Sequence, residues 1–265
     1  MKTIVQKFGG TSISSKESRE KASNKIMEKY NMGYKVVVVV SAMGRKGDPY
    51  ATDTLLNIIN TKAVTNKEID MLISCGEIIS SVVLASHLYE KGYKVAVLSG
   101  HQAGILTNNN FGNAEIINVD SSNIIKHLNE NKIVIVAGFQ GSNKYGEITT
   151  LGRGGSDISA VAIGNAINCS HVEIFTDVDG IMTADPNIVS NAKVLKKMCY
   201  SEVYQLAEDG AKVIHPRAVE MAQQFNIPLV IKNTYSDSEG TSIRGVDVNF
   251  INNRKELFNE KIITA

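Results

Sequence analysis

The sequence lacks several features that define common classes of protein. Its formal net charge is only +1, because 28 Lys and Arg residues stand against 27 Asp and Glu residues. A chain with so little net charge has no overall field to attract nucleic acid or an anionic membrane, so any anion must be bound by local groups. We therefore expect no nucleic-acid partner and no membrane partner.

Long apolar runs and cysteine pairs are also missing. The longest apolar run, residues 36–40, has the length of a strand and is too short to cross a membrane. Residues 1–8 do not form the apolar core of an export signal. The three cysteines, Cys75, Cys169 and Cys199, lie far apart and are odd in number, which argues against a disulfide framework. These absences predict a cytoplasmic protein.

Several familiar catalytic motifs do not occur. None of the five histidines belongs to an HExxH pattern, so a zinc enzyme is not expected, and the GxSxG elbow of a hydrolase is absent. The chain has no GxxxxGK[ST] motif, and Asp157 stands where GxGxxG requires its last glycine. A Walker-type NTPase and a Rossmann dehydrogenase are therefore disfavoured. His215, next to Pro216, is interpreted as a helix-entry residue.

What the sequence does contain is a regular alternation of β-branched runs and helical patterns. The predicted strands are residues 3–7, 35–41, 94–98, 133–137, 172–176 and 228–232. The first predicted helix begins after Ser14 or Ser15 and ends at Gly33. The other predicted helices are residues 53–61, 67–91, 122–130, 156–167, 201–208 and 216–225. This order predicts an α/β fold with a doubly wound, mostly parallel sheet between helices. We expect strands 35–41, 94–98 and 133–137 to be interior, and helix 67–91 to be largely buried.

The alternation predicts one domain over residues 1–245. No repeat, low-complexity tract or Pro/Gly/Ser linker interrupts it. The pattern weakens after Ile243, so residues 246–265 are predicted to be a C-terminal tail or a severed linker.

Glycine-rich and polar segments follow four predicted strand ends, at residues 7–12, 41–44, 151–157 and 177–180. Because ligands bind outside the carboxyl ends of strands in open α/β sheets, we expect these segments to meet at one edge of one sheet. Two of them contain Gly-Gly pairs that run into helix starts, where backbone N–H groups can hold an anion. Taken singly, each pair is as easily a tight turn as a phosphate site.

Taken together, the segments resemble the signatures of aspartate kinases. Segments 7–12, 39–44, 151–157, 176–180 and 210–213 occur in the order typical of that family. The resemblance runs from Lys2 to about Ile243 and implies the amino-acid-kinase fold, a three-layer α/β/α sandwich of two lobes. The N-terminal lobe would hold the phosphoryl acceptor and the C-terminal lobe the nucleotide. The implied reaction transfers the γ-phosphoryl group of ATP to the β-carboxylate of L-aspartate and gives 4-phospho-L-aspartate, the first step towards lysine, threonine and methionine.

The resemblance also implies roles for individual residues. Lys7, Asp157 and Lys212 would act in catalysis. The residues that would hold aspartate are Thr52, Glu77, Arg153, Gly154, Gly155, Ser156 and Asp157. The residues that would hold the nucleotide and its phosphates are Lys7, Phe8, Gly9, Gly10, Ser12, Ser41, Thr176, Asp177, Met182, Thr183, Ala184, Asp185, Pro186 and Lys212. Arg153 would pair with the α-carboxylate of aspartate, while Glu77 and Asp157 would take its ammonium group.

The cofactors implied are ATP and Mg²⁺, and the ion would be carried mainly on nucleotide oxygens and water, with no metal site of the protein's own. Two features differ from the family pattern. Met182 stands where many members have tyrosine, and the resemblance stops where C-terminal ACT regulatory domains begin. We therefore expect insensitivity to lysine and threonine. Family members commonly dimerise, partly through the regulatory domains, so a homodimer and a monomer both stay open.

Two other functions stay open at this point. The first is a sister kinase of the same fold that acts on UMP, N-acetylglutamate, glutamate or carbamate. Residues 153–157 together with Glu77 argue against it, because a carboxylate for an ammonium group has no use with UMP or N-acetylglutamate. The second is a non-catalytic ligand-binding subunit, which would not need Lys7, Arg153, Asp157 and Lys212 together.

Overall fold

A computed structural model describes residues 2–184, 189, 191–210 and 213–245. Its framework consists of strands and helices that alternate along most of the chain. The strands are β1 Thr3–Phe8, β2 Lys35–Val40, β3 Val95–Leu98, β4 Ile105–Thr107, β5 Ile116–Val119, β6 Ile133–Ala137, β7 Gln140–Ser142, β8 Ile148–Thr150, β9 Val172–Thr176, β10 Lys197–Cys199, β11 Leu229–Asn233 and β12 Thr241–Arg244. The α-helices are α1 Lys16–Asn31, α2 Thr52–Leu56, α3 Asn66–Glu90, α4 Ser122–Asn129, α5 Gly155–Ala166, α6 Tyr200–Glu208 and α7 Pro216–Gln224.

The strands form two sheets. An eight-stranded sheet has the order β10-β12-β11-β9-β1-β2-β6-β3 and is parallel apart from β10 and β12, since β12 is antiparallel to β11 and parallel to β10. A smaller sheet has the order β5-β4-β7-β8. The predicted α/β fold with a mostly parallel central sheet is confirmed.

Apolar cores cover both faces of the large sheet and create the three layers. On β1, Ile4 and Phe8 pack with residues of α1 and α3, whereas Val5 packs on the opposite side with residues of α5. The five valines of β2 divide between the two cores in the same alternating way. Strand β2 lies between β1 and β6 and is parallel to both, so the prediction of an interior strand from its unbroken valines is confirmed.

Two expectations about the sheet are wrong. Strand β3 is at the edge of the large sheet and pairs only with β6. Its apolar residues are explained by burial of its faces, one of them against α3, and do not require a second neighbouring strand. Strand β8 belongs to the smaller sheet, so the four glycine-rich segments do not all follow strands of one sheet. The smaller sheet was not predicted as a unit, since strands of three or four residues are too short to show a period.

Helix α3 is less buried than predicted. Met71, Ile78, Val82 and Tyr89 form an exposed line along its outer face, here called the α3 stripe, with 51%, 37%, 54% and 55% of their surface accessible. Among the described residues, α3 is the one helix long and apolar enough to cross a membrane, and half of that stretch is buried inside the fold. Its inner face packs on the sheet through Leu84 and its neighbours, so we interpret α3 as a core helix with an apolar outer face.

Smaller differences concern element ends. Ser15 caps α1 in a reciprocal hydrogen-bond pair with Ser18, as predicted. The helix predicted at residues 53–61 is shorter in the structure, where α2 covers Thr52–Leu56. The predicted tail, residues 246–265, lies outside the described residues, and the division of the chain at residue 245 stays a prediction.

Candidate active site

Two cavities lie at the carboxyl ends of β1, β2 and β9. The first, called the Thr176 cavity, has a volume of about 540 Å³ and also has Gly9 and His215 in its wall. The second, called the Glu77 cavity, has a volume of about 660 Å³. Its wall contains the expected acceptor residues Thr52, Glu77, Arg153, Gly154, Gly155, Ser156 and Asp157. Lys7, Gly154 and Asp157 line both cavities, so these residues stand where the two meet.

An ion pair occupies this junction. The Nζ atom of Lys7, on β1, lies 2.7 Å from Oδ1 of Asp157, in the first turn of α5, and both side chains are nearly buried. Helix α5 begins at Gly155, so its positive dipole end adds to the charge of the Lys7 ammonium there. The fold therefore brings together two predicted catalytic residues of opposite charge, next to the positive end of α5 and between the cavities.

The pairs Gly9-Gly10 and Gly154-Gly155 contain glycine for different structural reasons. A side chain at Gly10 would place Cβ 2.4 Å from the Ala42 carbonyl oxygen and 2.6 Å from that of Gly44, so close packing against the segment after β2 requires glycine. Gly9 has no contact as close, because the nearest atom to a Cβ there is Nζ of Lys7 at 3.7 Å. Packing thus explains Gly10, while Gly9 stays a candidate for phosphate contact in the wall of the Thr176 cavity.

The second pair shapes the loop that carries Arg153. Gly154 has a φ of +71°, which favours glycine, and precedes the first turn of α5. A Cβ at Gly155 would lie 2.8 Å from Cδ2 of Phe139. Arg153 itself is exposed in the Glu77 cavity and forms no hydrogen bond or ion pair with the part of the chain that the structure describes. Its guanidinium is therefore available to a ligand.

Glu77 is a buried carboxyl group in the wall of the Glu77 cavity. It is only 2% exposed, its Oε1 accepts a hydrogen bond from the Ala42 N–H at 2.9 Å, and its Oε2 has no hydrogen-bond partner among the described residues. Burial raises the pKa of Glu77 from its ordinary value of 4.5 to about 8, and the hydrogen bond from Ala42 only partly opposes this. An unpaired, buried carboxyl oxygen facing a cavity is suited to a cationic or hydrogen-bond-donating ligand.

Three residues predicted to bind the nucleotide do not line the Thr176 cavity. The Phe8 ring stacks on Phe175 in the core with 4.6 Å between ring centroids. Ser12 is fully buried, and its hydroxyl accepts a hydrogen bond from Oγ1 of Thr234 at 2.7 Å. Ser41, predicted at the nucleotide, lies in the wall of the Glu77 cavity instead. Binding through these side chains stays a prediction.

The nucleotide loop is described only in part. Met182 and Thr183 pair with Val194 and Lys193 and do not line either cavity, and neither does Ala184. Asp177 forms an ion pair with Arg45 at 2.8 Å. Three further predicted residues, Asp185, Pro186 and Lys212, lie outside the described residues.

Sequence reasoning missed Asp70, a carboxylate that supports the site. It is fully buried and accepts hydrogen bonds from the Gly112 N–H at 2.9 Å, the Thr150 N–H at 2.8 Å and the Thr150 hydroxyl at 2.7 Å. Asp70 thereby fixes the end of β8 from which the Arg153 loop starts. The signal was present, since Asp70, like Glu77, is a carboxylate inside an apolar helix.

His215 has two positions in the structure that matter, at the start of α7 and in a cavity wall, and the sequence predicted only the first. It caps α7, as its interpretation as a helix-entry residue required, with Nδ1 accepting a hydrogen bond from the Arg217 N–H at 3.3 Å. It also lines the Thr176 cavity, where burial lowers its pKa even though nearby Asp157 has the opposite effect. Only the packing of α7 on the Arg153 loop places His215 there.

The fold and the paired cavities define an α/β protein that can hold two ligands side by side around Lys7. The chain belongs to the amino acid kinase family, whose profile matches residues 2–233. It is 52% identical to aspartokinase 1 of Bacillus subtilis over 245 residues, which cover 92% of this chain and 61% of the relative. The chain spans about 60% of the length of the curated relatives it matches.

Solved structures give the same picture. The aspartate kinase from Synechocystis superimposes with a TM-score of 0.80 at 40% identity, over 93% of this chain and 40% of that chain. Aspartokinase III of E. coli, solved in complex with aspartate and ADP, superimposes with a TM-score of 0.77 at 28% identity, over 93% of this chain and 65% of that chain.

Proposed function

We propose that this chain catalyses phosphoryl transfer from ATP to the β-carboxylate of L-aspartate, as an aspartate kinase. The observation that carries the proposal is that Lys7 and Asp157 line both cavities, so a cation stands between the two binding places. The nucleotide would occupy the Thr176 cavity and aspartate the Glu77 cavity. The similarity to an aspartokinase solved with aspartate and ADP supports this assignment.

The residues present suit a carboxylate acceptor. A carboxylate is already ionised at neutral pH, so the attacking oxygen needs no general base. The main obstacle is repulsion between the anionic nucleophile and the anionic triphosphate, and positive charge at the junction lowers it. Lys7 and the positive end of α5 supply that charge from within the protein.

Mg²⁺ is the proposed metal cofactor and, when bound with the nucleotide, would neutralise phosphate charge. Within the described residues, no group of three or more His, Cys, Asp or Glu could hold a metal ion. The ion would be carried mainly by nucleotide oxygens and water, as Mg²⁺ commonly is. Asp157 is the carboxylate shared by both cavity walls.

The Glu77 cavity has groups of both signs for an amino acid. Arg153 is unpaired there and can meet the α-carboxylate with two parallel hydrogen bonds, and Glu77 can meet the ammonium group. A free amino acid is therefore a better match than UMP or N-acetylglutamate, which lack an ammonium group.

Replacing Arg153 by lysine is expected to raise the KM for aspartate about tenfold or more, because a single ammonium group cannot form the two-pronged pair. The KM for MgATP should change little. Steady-state kinetics check this, with Arg244→Lys, an exposed position at the end of β12, as the control. Equal changes in both KM values would contradict the assigned role of Arg153.

The reaction itself is tested by trapping the acyl phosphate with hydroxylamine as a hydroxamate. L-Aspartate, L-glutamate and N-acetylglutamate are compared in the presence of MgATP. We expect product with aspartate alone. Product with another acceptor would indicate a sister kinase of the family, and a well-folded sample that makes no product would indicate a ligand-binding subunit.

We also propose a homodimer in which a second copy covers the α3 stripe. The α3 stripe residues Met71, Ile78, Val82 and Tyr89 are spaced by seven, four and seven positions, so their spacing is the same from either end of the helix. A two-fold axis between Ile78 and Val82 would then pair Met71 with Tyr89 of the second copy, as a self-complementary contact requires. Exposed apolar patches of this kind commonly mark interfaces.

The dimer is tested by chromatography with light scattering. Val82→Glu is expected to convert a dimer into a monomer, because two carboxylates would be buried at the centre of the contact. The control is Ile125→Glu, a similarly exposed position on α4. A monomeric wild type, or a Val82→Glu variant that stays dimeric, would contradict the assignment.

Finally, we propose that the protein acts in the cytoplasm. Cys75, Cys169 and Cys199 are all free thiols, which suits a reducing compartment.

A further inference from the structure

The first turn of α7 contacts the loop that carries Arg153. Nη1 of Arg217 donates a hydrogen bond to the Leu151 carbonyl oxygen at 2.9 Å and another to Oδ1 of Asn113 at 3.1 Å. Leu151 is fully buried and directly precedes Gly152. One guanidinium therefore holds the start of the loop and the neighbouring segment that contains Asn113.

His215 holds the other end of the same loop. A Cβ at Gly154 would lie 2.2 Å from Cγ of His215, so the imidazole rests directly against the Gly154 backbone. The Arg217 N–H orients that imidazole through its hydrogen bond to Nδ1. At the first glycine, Gly152, a Cβ would lie 2.7 Å from Oδ1 of Asn113. The loop is thus enclosed between Asn113 and α7, and Arg217 connects the two sides.

This arrangement determines where Arg153 can point. The Arg153 side chain has no hydrogen bond or ion pair with any described residue, so only the backbone of its loop positions it. Both φ angles next to it, +70° at Gly152 and +71° at Gly154, belong to a conformation that glycine adopts easily. Within the loop, the Gly155 N–H donates a hydrogen bond to the Gly152 carbonyl oxygen at 3.0 Å. The contacts of Leu151 and Asn113 with Arg217, and of Gly154 with His215, restrain the loop from outside.

We propose that Arg217 is a positioning residue for Arg153. Arg217 lines neither cavity and acts through the loop, holding the Arg153 guanidinium towards the acceptor. One nitrogen that carries two hydrogens serves both acceptors, and without it the buried Leu151 carbonyl would lose its partner. The kinetic consequence rests on the proposed aspartate kinase function, whereas the loop contact does not.

Kinetics provide the first test, with Arg217→Ala, Arg217→Lys and Asn113→Ala as variants. Arg217→Ala is expected to raise the KM for aspartate about tenfold or more, with the KM for MgATP and kcat close to wild type, because hydrogen bonds from a charged group are lost and Arg153 is displaced. Arg217→Lys should recover part of the affinity. Glu220→Ala, an exposed position on the same helix, is the control and should leave both KM values unchanged.

Limited trypsin digestion with mass spectrometry provides a readout that needs no activity. Trypsin cleaves after arginine, so loosening of the loop is expected to speed cleavage after Arg153 in Arg217→Ala severalfold. Cleavage after Arg45, whose side chain is 72% exposed, should keep its wild-type rate. Asn113 is exposed, so Asn113→Ala keeps the test available if Arg217→Ala does not fold, with a smaller effect in the same direction.

The outcomes separate the two proposals. Faster cleavage after Arg153 in the Arg217→Ala variant, with a wild-type protein that makes no aspartyl phosphate, would leave the positioning role standing and remove the proposed function. A folded Arg217→Ala variant with wild-type cleavage and a wild-type KM for aspartate overturns the positioning role. An equal rise in both KM values together with a lower melting temperature overturns it as well, because that result describes a merely structural residue.

Discussion

Replacing Lys7 by alanine is expected to lower kcat about a thousandfold. Loss of one preorganised group that stabilises transition-state charge typically costs a factor of this size. Lys7 is nearly buried at the junction of the Thr176 and Glu77 cavities, so no mobile surface lysine replaces its charge. Hydroxamate formation at saturating aspartate and MgATP measures the effect, and circular dichroism confirms the fold.

The control and the conservative variant sharpen this prediction. Lys2 lies at the opposite end of the same strand and is exposed, so Lys2→Ala should keep wild-type kcat. Lys7→Arg keeps the charge but changes its shape and should retain part of the activity. A Lys7→Ala variant that loses less than about tenfold in kcat would show that the junction cation does not stabilise the transition state.

The second large effect is a pH-dependent stabilisation by Glu77→Gln. Burial raises the pKa of Glu77 to about 8 in the folded protein, above its ordinary value of 4.5. The stability that the protonated carboxyl contributes is complete below about pH 4.5 and is lost as the pH rises through about 8, because the unfolded chain releases its proton first. A glutamine side chain cannot ionise, so the variant should gain roughly 3 kcal/mol relative to wild type between pH 5 and pH 8.

Urea unfolding at several pH values measures this difference. Glutamine keeps the volume of the side chain and an oxygen for the Ala42 N–H, so packing should be conserved. Glu90→Gln, at an exposed position of the same helix, is the control and should show no such trend. A free-energy difference between Glu77→Gln and wild type that does not change with pH would contradict the burial-raised pKa.

The same ionisation has a consequence for binding. At pH 7 the Glu77 carboxyl is mainly protonated in the free protein, whereas an ammonium group favours the ionised form. Aspartate binding under the proposed function should therefore release a proton, which calorimetry in two buffers of different ionisation enthalpy can detect. Glu77→Gln should bind aspartate more weakly and without proton release.

Much of the fold could be predicted because its signals are local. The unbroken valines of β2 indicated burial on both faces, and Ser15 marked the start of α1. The predictions failed for β3 and α3, where contacts with other elements determine the position in the sheet and the exposure of side chains. Strand β3 has an interior composition at a sheet edge because α3 covers it, and the outer apolar residues of α3 stay exposed because nothing in the described chain packs on them.

The site divides in the same way. Lys7, Arg153 and Asp157 belong to recognisable segments, and Glu77 is a carboxylate in an apolar helix. The structure places all four in the walls of two adjoining cavities. The contacts that hold those residues in place could not be predicted from the sequence. Arg217 reaches Leu151 only because α7 packs beside α5, and no local pattern encodes that contact.

The amino-acid sequence is enough to predict the order of the main parallel strands and helices, the glycines that allow close backbone approach, and the kinds of charged group available. These properties follow from local backbone geometry and from side-chain chemistry. Packing of distant segments places Lys7 and Asp157 between two cavities, buries Glu77 and so raises its pKa, and brings α7 against the Arg153 loop. Charge effects, burial and hydrogen bonds between distant segments depend on distances that exist only once the chain is folded.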